Sequence, residues 1–211
     1  MQRIFYGILL LVSMSASAQA QPATQPGDSP RQAYERLVVA MREGDGATIR
    51  QSIVAQGDDQ QRLVDALVNY AQSLSTMRQA AVQTYGAAQS RILTGDPADH
   101  EKRLEAIRQA IEQIDGDKAT LKVDSANTPL IHMRKMDGHW RVPLGEMLTD
   151  LEPGQIAQQI EEMALQVRVF DETTADILAG KFHTADEAAQ VMRGRLIRPA
   201  SEPTTATTKP G

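Results

Sequence analysis

Apolar residues recur every three or four positions along most of this chain, a spacing that predicts amphipathic helices. Ser29, with a first-turn proline and Gln32 at the capping-box position, marks the start of a first helix, and Gly44 marks its end. Asp45 is placed to cap a second helix that stops at Gly57. The apolar positions of these two helices are Leu37, Val38, Met41, Ile49, Ile53 and Val54.

A long third helix is predicted from Asp58. Its apolar stripe consists of Leu63, Leu67, Tyr70, Leu74, Met77, Ala81, Tyr85, Ala88 and Ile92. Gly86 lowers its stability by about 1 kcal/mol relative to alanine, which predicts a bend there. Asp96 and Pro97 then open a fourth helix. Its apolar positions continue at helical spacing through Leu104, Ile107, Ile111 and Ile114. The hairpin signal Asp115-Gly116 leaves open whether residues 109–115 are helix or strand.

From Ala119 the pattern changes to an alternation of apolar and polar residues, which indicates strands. Asp137-Gly138 is the strongest hairpin signal of the chain, and a two-residue turn there pairs Met136 with His139. One face then holds Ile131, Met133, Lys135, Trp140, Val142 and Leu144, and the other holds His132, Arg134, Met136, His139, Arg141 and Pro143. We expect the first face to pack on the helices, with Trp140 inside. The predicted sheet is an antiparallel meander of three to four strands at about 111–144.

Two helices are predicted after the sheet. The first follows Pro153 and carries Ile156, Ile160, Met163, Val167, Phe170, Thr174 and Ile177 at heptad spacing. Such a stripe indicates either a core face, the more common case, or a dimer seam. The last helix opens with a capping box at Thr184 and Glu187 and turns Ala188, Val191 and Met192 inward. Arg193, Arg195 and Arg198 are interpreted as charges that suit its C-terminal end. The fold class is therefore α+β and helix-rich.

The chain termini differ from the middle in composition. Residues 1–20 combine Arg3, an apolar run over 4–12 and a final Ala-Gln-Ala, as in a secretory signal peptide cleaved before Gln21. Residues 21–29 are predicted to be a disordered linker, 30–198 a single domain, and 199–211 a disordered tail rich in Pro and Thr. We expect export to the periplasm or the outside of the cell, with no transmembrane segment after cleavage, because the apolar run is too short to span a bilayer.

Composition excludes several kinds of chemistry. There is no cysteine, so disulfides, thiolate metal sites and cysteine nucleophiles are excluded. The net charge of -5 and only eight aromatic residues argue against nucleic acid as a partner. Phosphate-loop, serine-hydrolase and calcium-loop motifs are missing from the sequence.

The four histidines are the candidate metal ligands of the sequence. His132 and His139 share the polar face of the hairpin, but the predicted pairing separates them along the strands by about 13 Å. Two ligands of one ion each lie about 2 Å from it. His100 and His183 have no metal-binding spacing. We therefore predict no metal, no cofactor and no catalytic residue, and we choose Arg134, His139 and Arg141 on the polar hairpin face as the surface for a ligand or partner.

Three segments together resemble the nuclear transport factor two-like superfamily, which includes SnoaL-like and ketosteroid isomerase-like proteins. They are AMREGDGATI, with a Gly-Asp joint between two helices, DGDKATLKV, and the strand end KMDGHWRVPL. The resemblance covers about residues 30–145 and rests on turn and core signals. It implies a cone-shaped fold with a curved antiparallel sheet, an internal cavity and frequent dimers. In the enzymes of the superfamily, acids and tyrosines in the cavity transfer protons, but Tyr34, Tyr70 and Tyr85 all fall on predicted helices at core spacing. A helical bundle with a small three-stranded sheet is the alternative fold.

The sequence predicts an exported, non-catalytic binding or structural module whose partner is an unknown small molecule or protein. Two alternatives stay open. One is a small cavity enzyme, an isomerase or cyclase of the same fold. The other is an envelope assembly protein that forms a homodimer through the helix at 153–177.

Overall fold

The helices and strands are known from a computed structural model that describes residues 29–123, 130–147 and 154–197. The described helices are α1 (Pro30–Glu43), α2 (Gly46–Ser52), α3 (Asp58–Gln89), α4 (Arg91–Thr94), α5 (Pro97–Arg108), α6 (Leu144–Met147), α7 (Gln155–Leu178) and α8 (Ala185–Ile197). The strands are β1 (Ile53–Val54), β2 (Ile111–Asp115), β3 (Lys118–Lys122), β4 (Ile131–Met136) and β5 (His139–Pro143). The predicted α+β class, rich in helix, is confirmed.

Capping residues fix the joint between α1 and α2. Ser29 and Gln32 form the predicted capping box, and Gly44 ends α1 in the left-handed conformation with φ +75°. The Asp45 carboxylate accepts hydrogen bonds from the backbone of Ala47 and Thr48 and so begins α2. The second helix is shorter than predicted, because Ile53 and Val54 leave it and form strand β1 beside β5.

The sheet has five strands in the order β1-β5-β4-β3-β2. Strands β2 to β5 form the predicted antiparallel meander, and β1 adds a parallel pair at its edge. Residues 111–115 are strand and not helix. The predicted register of the second hairpin is confirmed, since Lys135 pairs with Trp140 and Met136 with His139. Both turn residues, Asp137 and Gly138, have positive φ, as a tight two-residue turn of this hand requires.

The inner face of the sheet packs on α1 and α2, and apolar side chains fill the space between them. Trp140 is 6% exposed, as predicted, and Lys135 beside it places Nζ 5.8 Å from the centre of the indole ring. Ile49, Leu121 and Met133 are exposed by 2% or less. Burying side chains of this size contributes about 1.5–3 kcal/mol each.

Helices α3 and α7 of the same chain pack along each other, and their apolar stripes are in contact. Tyr70 of α3 and Phe170 of α7 have ring centres 5.6 Å apart. Met163 and Ile177 of α7 are buried. The α7 stripe is therefore a core face, the more common of the two interpretations, and a dimer through this helix would use its exposed side.

Gly86 interrupts α3 with φ 78° and ψ 160°, so the predicted bend is confirmed as a break. The break shifts the helical phase, and the stripe predicted through Ala88 and Ile92 is wrong beyond it. Ile92 is 44% exposed and Leu93 is buried in its place, in a second apolar cluster with α8.

Helix α8 differs from prediction in its capping box and at one inward position. Thr184 accepts from the backbone of Glu187, but the Glu187 carboxylate accepts from His183 rather than from Thr184. Ala188 is buried, as predicted, and Val191 is 37% exposed, so its predicted inward position is wrong. Several predicted features lie outside the described residues. They are the segments 1–20 and 21–28, the turn at residues 125–129, Pro153, Arg198 and the tail 199–211. The division into signal peptide, linker, single domain and tail stays a prediction.

Candidate functional site

The outer face of the sheet is the surface that carries the residues chosen from the sequence. His139 and Arg134 are exposed there, and the Arg141 side chain is 29% exposed. Arg134 and Arg141 are directly opposite each other on β4 and β5. His139 is opposite Met136 at the turn. The structure therefore brings all three predicted residues together on one face.

Residues on β2 and β3 extend this surface, and the sequence reasoning did not select them. Lys118 is the cross-strand partner of Arg134, and Asp115 is the partner of Lys118. Asp115, Lys118, Arg134 and Arg141 thus form one row across four strands, with Cβ atoms of neighbours about 5 Å apart. We call it the cation row, since three of its four members are positively charged. The turn of the first hairpin consists of Gly116 and Asp117, one position beyond the Asp115-Gly116 signal, so that signal alone does not place Lys118 opposite Asp115.

Three carboxylates pair with the cations of the row, and one of them, Asp115, is itself a member of the row. Glu146 of α6 binds Arg134 with Oε1 2.7 Å from Nη2. Asp137 in the turn lies 3.6 Å from Nη2 of Arg141, and its side chain is 85% exposed. Asp115 is opposite Lys118. Exposed ion pairs of this kind contribute about 0–1 kcal/mol each. Nε of Arg141 is buried and has no hydrogen-bond partner among the described residues.

Apolar and neutral side chains lie on the same face of the sheet as the row. Met136 is 39% exposed, and Ile111 on the edge strand is 58% exposed. His132 lies opposite Thr120 on β3, four residues along β4 from Met136, the partner of His139. The register that separates the two histidines is therefore confirmed. Among residues 29–123, 130–147 and 154–197, no three His, Asp or Glu side chains converge in a way that could hold a metal ion.

A groove of about 530 Å³ lies along α1 and α2. Its lining includes Glu35, Arg36 and Glu43, with Asp45 at one end. Glu35 is bound to Arg108, with Oε1 2.7 Å from Nε. Hydrogen bonds from the hydroxyl and the backbone of Thr48 lower the pKa of Asp45. Glu35 and Asp45 thus each have a partner within the fold.

Tyr34, Tyr70 and Tyr85, compared above with the cavity tyrosines of the superfamily's enzymes, lie on helices, as their spacing predicts. Tyr70 is buried, while Tyr34 and Tyr85 are partly buried. Burial raises the pKa of all three hydroxyls. The cavity-enzyme alternative stays a prediction.

Of the helices that the structure describes, none combines the length and the apolar content needed to cross a bilayer. Comparison of the chain with protein-family models, curated proteins and solved structures finds no match in any of the three. The likeness to the nuclear transport factor two-like superfamily therefore stays a prediction.

Proposed function

We propose that this chain is an exported, non-catalytic binding module that docks an acidic segment of a partner protein on the outer face of its sheet. The observation that carries the proposal is the cation row, in which Lys118, Arg134 and Arg141 face one another across three adjacent strands. Export rests on the signal-like composition of residues 1–20.

The cation row is not explained by the stability of the sheet. Like charges that are directly opposite on neighbouring strands destabilise an antiparallel pair, by amounts of roughly 0.2–1 kcal/mol. Two such contacts follow each other here, between Lys118 and Arg134 and between Arg134 and Arg141. Ion pairs with Glu146 and Asp137 offset part of this repulsion. A row of like charges kept on an exposed face supports a role in binding.

Charge complementarity supports an acidic partner. The whole chain has a net charge of -5, while the outward sheet positions carry Lys118, Lys122, Arg134 and Arg141 against Asp115 alone. Asp137 is exposed and Glu146 is partly exposed, so a partner's carboxylates could compete with them for the arginines, at a cost of about 1 kcal/mol for the exposed Asp137 pair. The exposed Met136 and Ile111 add apolar contact area beside the charges.

Fluorescence anisotropy of a fluorescein-labelled peptide of ten glutamates tests this function. We expect saturable binding that weakens steeply with salt, because the contacts are between exposed charges. Arg134→Thr and Arg141→Thr should each weaken binding about fivefold, or about 1 kcal/mol per lost contact. Arg168→Gln, on the exposed side of α7, is the matched control and should bind like the wild type.

Two further probes separate acidic protein from other anions. Dextran sulfate and phosphatidylglycerol vesicles present a polyanion and an anionic lipid surface. Preferential binding of the peptide, lost in the two variants, supports the proposal. Binding of the vesicles or of dextran sulfate without the peptide would overturn it in favour of that other partner class, and equal peptide binding by all variants would remove the cation row from the site.

A further inference from the structure

Strand β2 forms an open edge of the sheet. It is the last strand in the order β1-β5-β4-β3-β2, and β3 is its only strand neighbour in the part of the chain that the structure describes. Its residues, Ile111–Asp115, pair with β3 one to one. The free side of an edge strand carries backbone N–H and C=O groups that can pair with another chain. The edge of β2 is therefore a candidate docking surface.

The register shows which backbone groups face the free side of β2. Asp115 and Lys118 flank the two-residue turn, and such a closing pair exchanges both backbone hydrogen bonds. Because bonding alternates along an antiparallel strand, the odd positions of 111–115 bond to β3. The N–H and C=O of Glu112 and Ile114 therefore point away from β3, and no other group of the described residues is hydrogen-bonded to them.

Features that usually protect an exposed edge are missing from β2. Proteins keep such edges from pairing with a proline, a lysine, a bulge or a covering segment. The sequence of β2 is IEQID, without proline or lysine, and its pairing with β3 has no bulge. Ile111 and Ile114 point to opposite faces, and both are more than half exposed. A strand with these properties is suited to pair with another strand.

Arg31 of α1 limits the length of the open edge. Its Nη1 donates to the backbone oxygens of Arg108 and Ala110, at 2.6 and 3.5 Å. Its Nη2 lies 3.3 Å from Oε2 of Glu112, so the charge of this carboxylate is compensated within the chain. The described residues therefore close the edge before β2 and leave it open along β2.

We propose that β2 pairs with β2 of a second copy of this chain, antiparallel and centred on Gln113. Gln113 then lies opposite the partner's Gln113. Glu112 lies opposite the partner's Ile114, and Ile111 lies opposite the partner's Asp115. Each Glu112 exchanges both backbone hydrogen bonds with the Ile114 opposite it. This interface differs from the exposed side of α7 and does not depend on the function proposed for the cation row.

The sequence of β2 is complementary to itself in this register. All residues of both strands are paired, and each carboxylate lies opposite an isoleucine rather than opposite a like charge. A shift of two residues in one direction would place Glu112 opposite the partner's Glu112. It would also need the backbone oxygen of Ala110, which accepts from Arg31. A shift of two residues in the other direction would leave Ile111 beyond the end of the partner's strand.

Sedimentation velocity of the full chain over a range of concentrations tests the dimer. We expect a concentration-dependent equilibrium between one chain and two. Ile114→Pro removes an N–H that points away from β3, so the ladder with β3 stays intact. It should weaken the dimer about tenfold or more, since each copy loses a hydrogen bond to the other. Ile114→Thr keeps the N–H, is the matched control and should dimerise more tightly than Ile114→Pro.

Cysteine cross-linking tests the register, because the chain has no cysteine of its own. Gln113→Cys places two thiols directly opposite each other in a non-hydrogen-bonded pair, with Cα atoms about 4.5 Å apart, a separation that a disulfide can span. Ile111→Cys, at an equally exposed position, is the matched control. Its two thiols are four residues apart along the strands, or about 13 Å. We expect the linked dimer to form about tenfold faster with Gln113→Cys.

Each outcome supports or overturns the interface. A chain that stays monomeric at all concentrations would overturn the proposal and leave the edge to a strand of a different protein. A dimer that a folded Ile114→Pro leaves unchanged would overturn it in favour of another surface, such as the exposed side of α7. Equal cross-linking of the two cysteine variants would overturn the register. If Ile114→Pro does not fold, the two cross-linking rates decide.

Discussion

Arg195 of α8 donates through Nη2 to Oδ2 of Asp176 on α7, and the two atoms are 2.6 Å apart. The other oxygen of Asp176 accepts from Nζ of Lys181 at 2.7 Å. The Asp176 side chain is 12% exposed, so this carboxylate is mostly shielded from water. Arg195 also lies 3.7 Å from Glu172. Arg195 lies in the last turn of α8, as predicted, and it also joins α8 to α7.

The ion pairs of Asp176 predict that the folded protein loses stability in acid. The hydrogen bonds from Lys181 and then Arg195 lower the pKa of Asp176 below its ordinary value, which is about 3.9 in an unfolded chain. A lowered folded-state pKa contributes stability that is present above about pH 4 and is lost as the pH falls toward that lower pKa. We expect Asp176→Asn to lower the urea midpoint at pH 7, with a difference from the wild type that narrows below pH 4.

Asp171→Asn, an exposed change on the same helix, serves as the control for this measurement and should leave the midpoint unchanged at both pH values. A difference between Asp176→Asn and the wild type that stays constant from pH 7 to pH 3 would contradict the linkage.

The joint between α1 and α2 has room for glycine only at position 44. Its φ of +75° is unfavourable for other residues, and an added Cβ would lie 3.0 Å from Cβ of Ser75 and 3.1 Å from Cα of Gln72. We expect Gly44→Ala to lower the free energy of unfolding by about 3 kcal/mol, from left-handed strain plus the clash with α3. Gly180 has φ +67° and open space around it, so Gly180→Ala should cost only about 1 kcal/mol. If chemical denaturation shows the same loss of unfolding free energy for Gly44→Ala and Gly180→Ala, the close approach of Gly44 to α3 is refuted.

The edge of the meander gives a test of which side chains form the core. Leu121 on β3 is fully buried, whereas Ile114 on β2 is 55% exposed. Leu121→Ala should cost about 2–5 kcal/mol, and Ile114→Ala should stay within about 0.5 kcal/mol of the wild type. Urea unfolding of the two variants measures both values, and a larger cost at Ile114 than at Leu121 would contradict the end of the core before β2.

Local signals in the sequence predicted much of the fold. The capping box at Ser29, the cap at Asp45 and the break at Gly86 depend on neighbouring residues only, and all three are present. The register around Asp137-Gly138 also follows from a two-residue turn. Because that register fixes the faces, the sequence could also place Trp140 inside and Arg134 and Arg141 together outside.

Features set by distant contacts could not be predicted. Ile53 fits the helical spacing from Ile49, but pairing with Val142 of β5 makes it a strand residue. Ile111 and Ile114 are three residues apart, as on a helix face, yet both are exposed on an edge strand. Contacts such as Asp176 with Arg195 join residues far apart along the chain without a local pattern.

The most direct test of the cation row measures binding and stability in the same variant, Lys118→Thr/Arg134→Thr/Arg141→Thr. Threonine suits strands, and the lost ion pairs are exposed, so the free energy of unfolding in urea should stay within about 1 kcal/mol of the wild type or rise. Binding of the labelled glutamate peptide should be lost. A variant that unfolds more easily by several kcal/mol and still binds the peptide would show that the row serves the fold and not a partner.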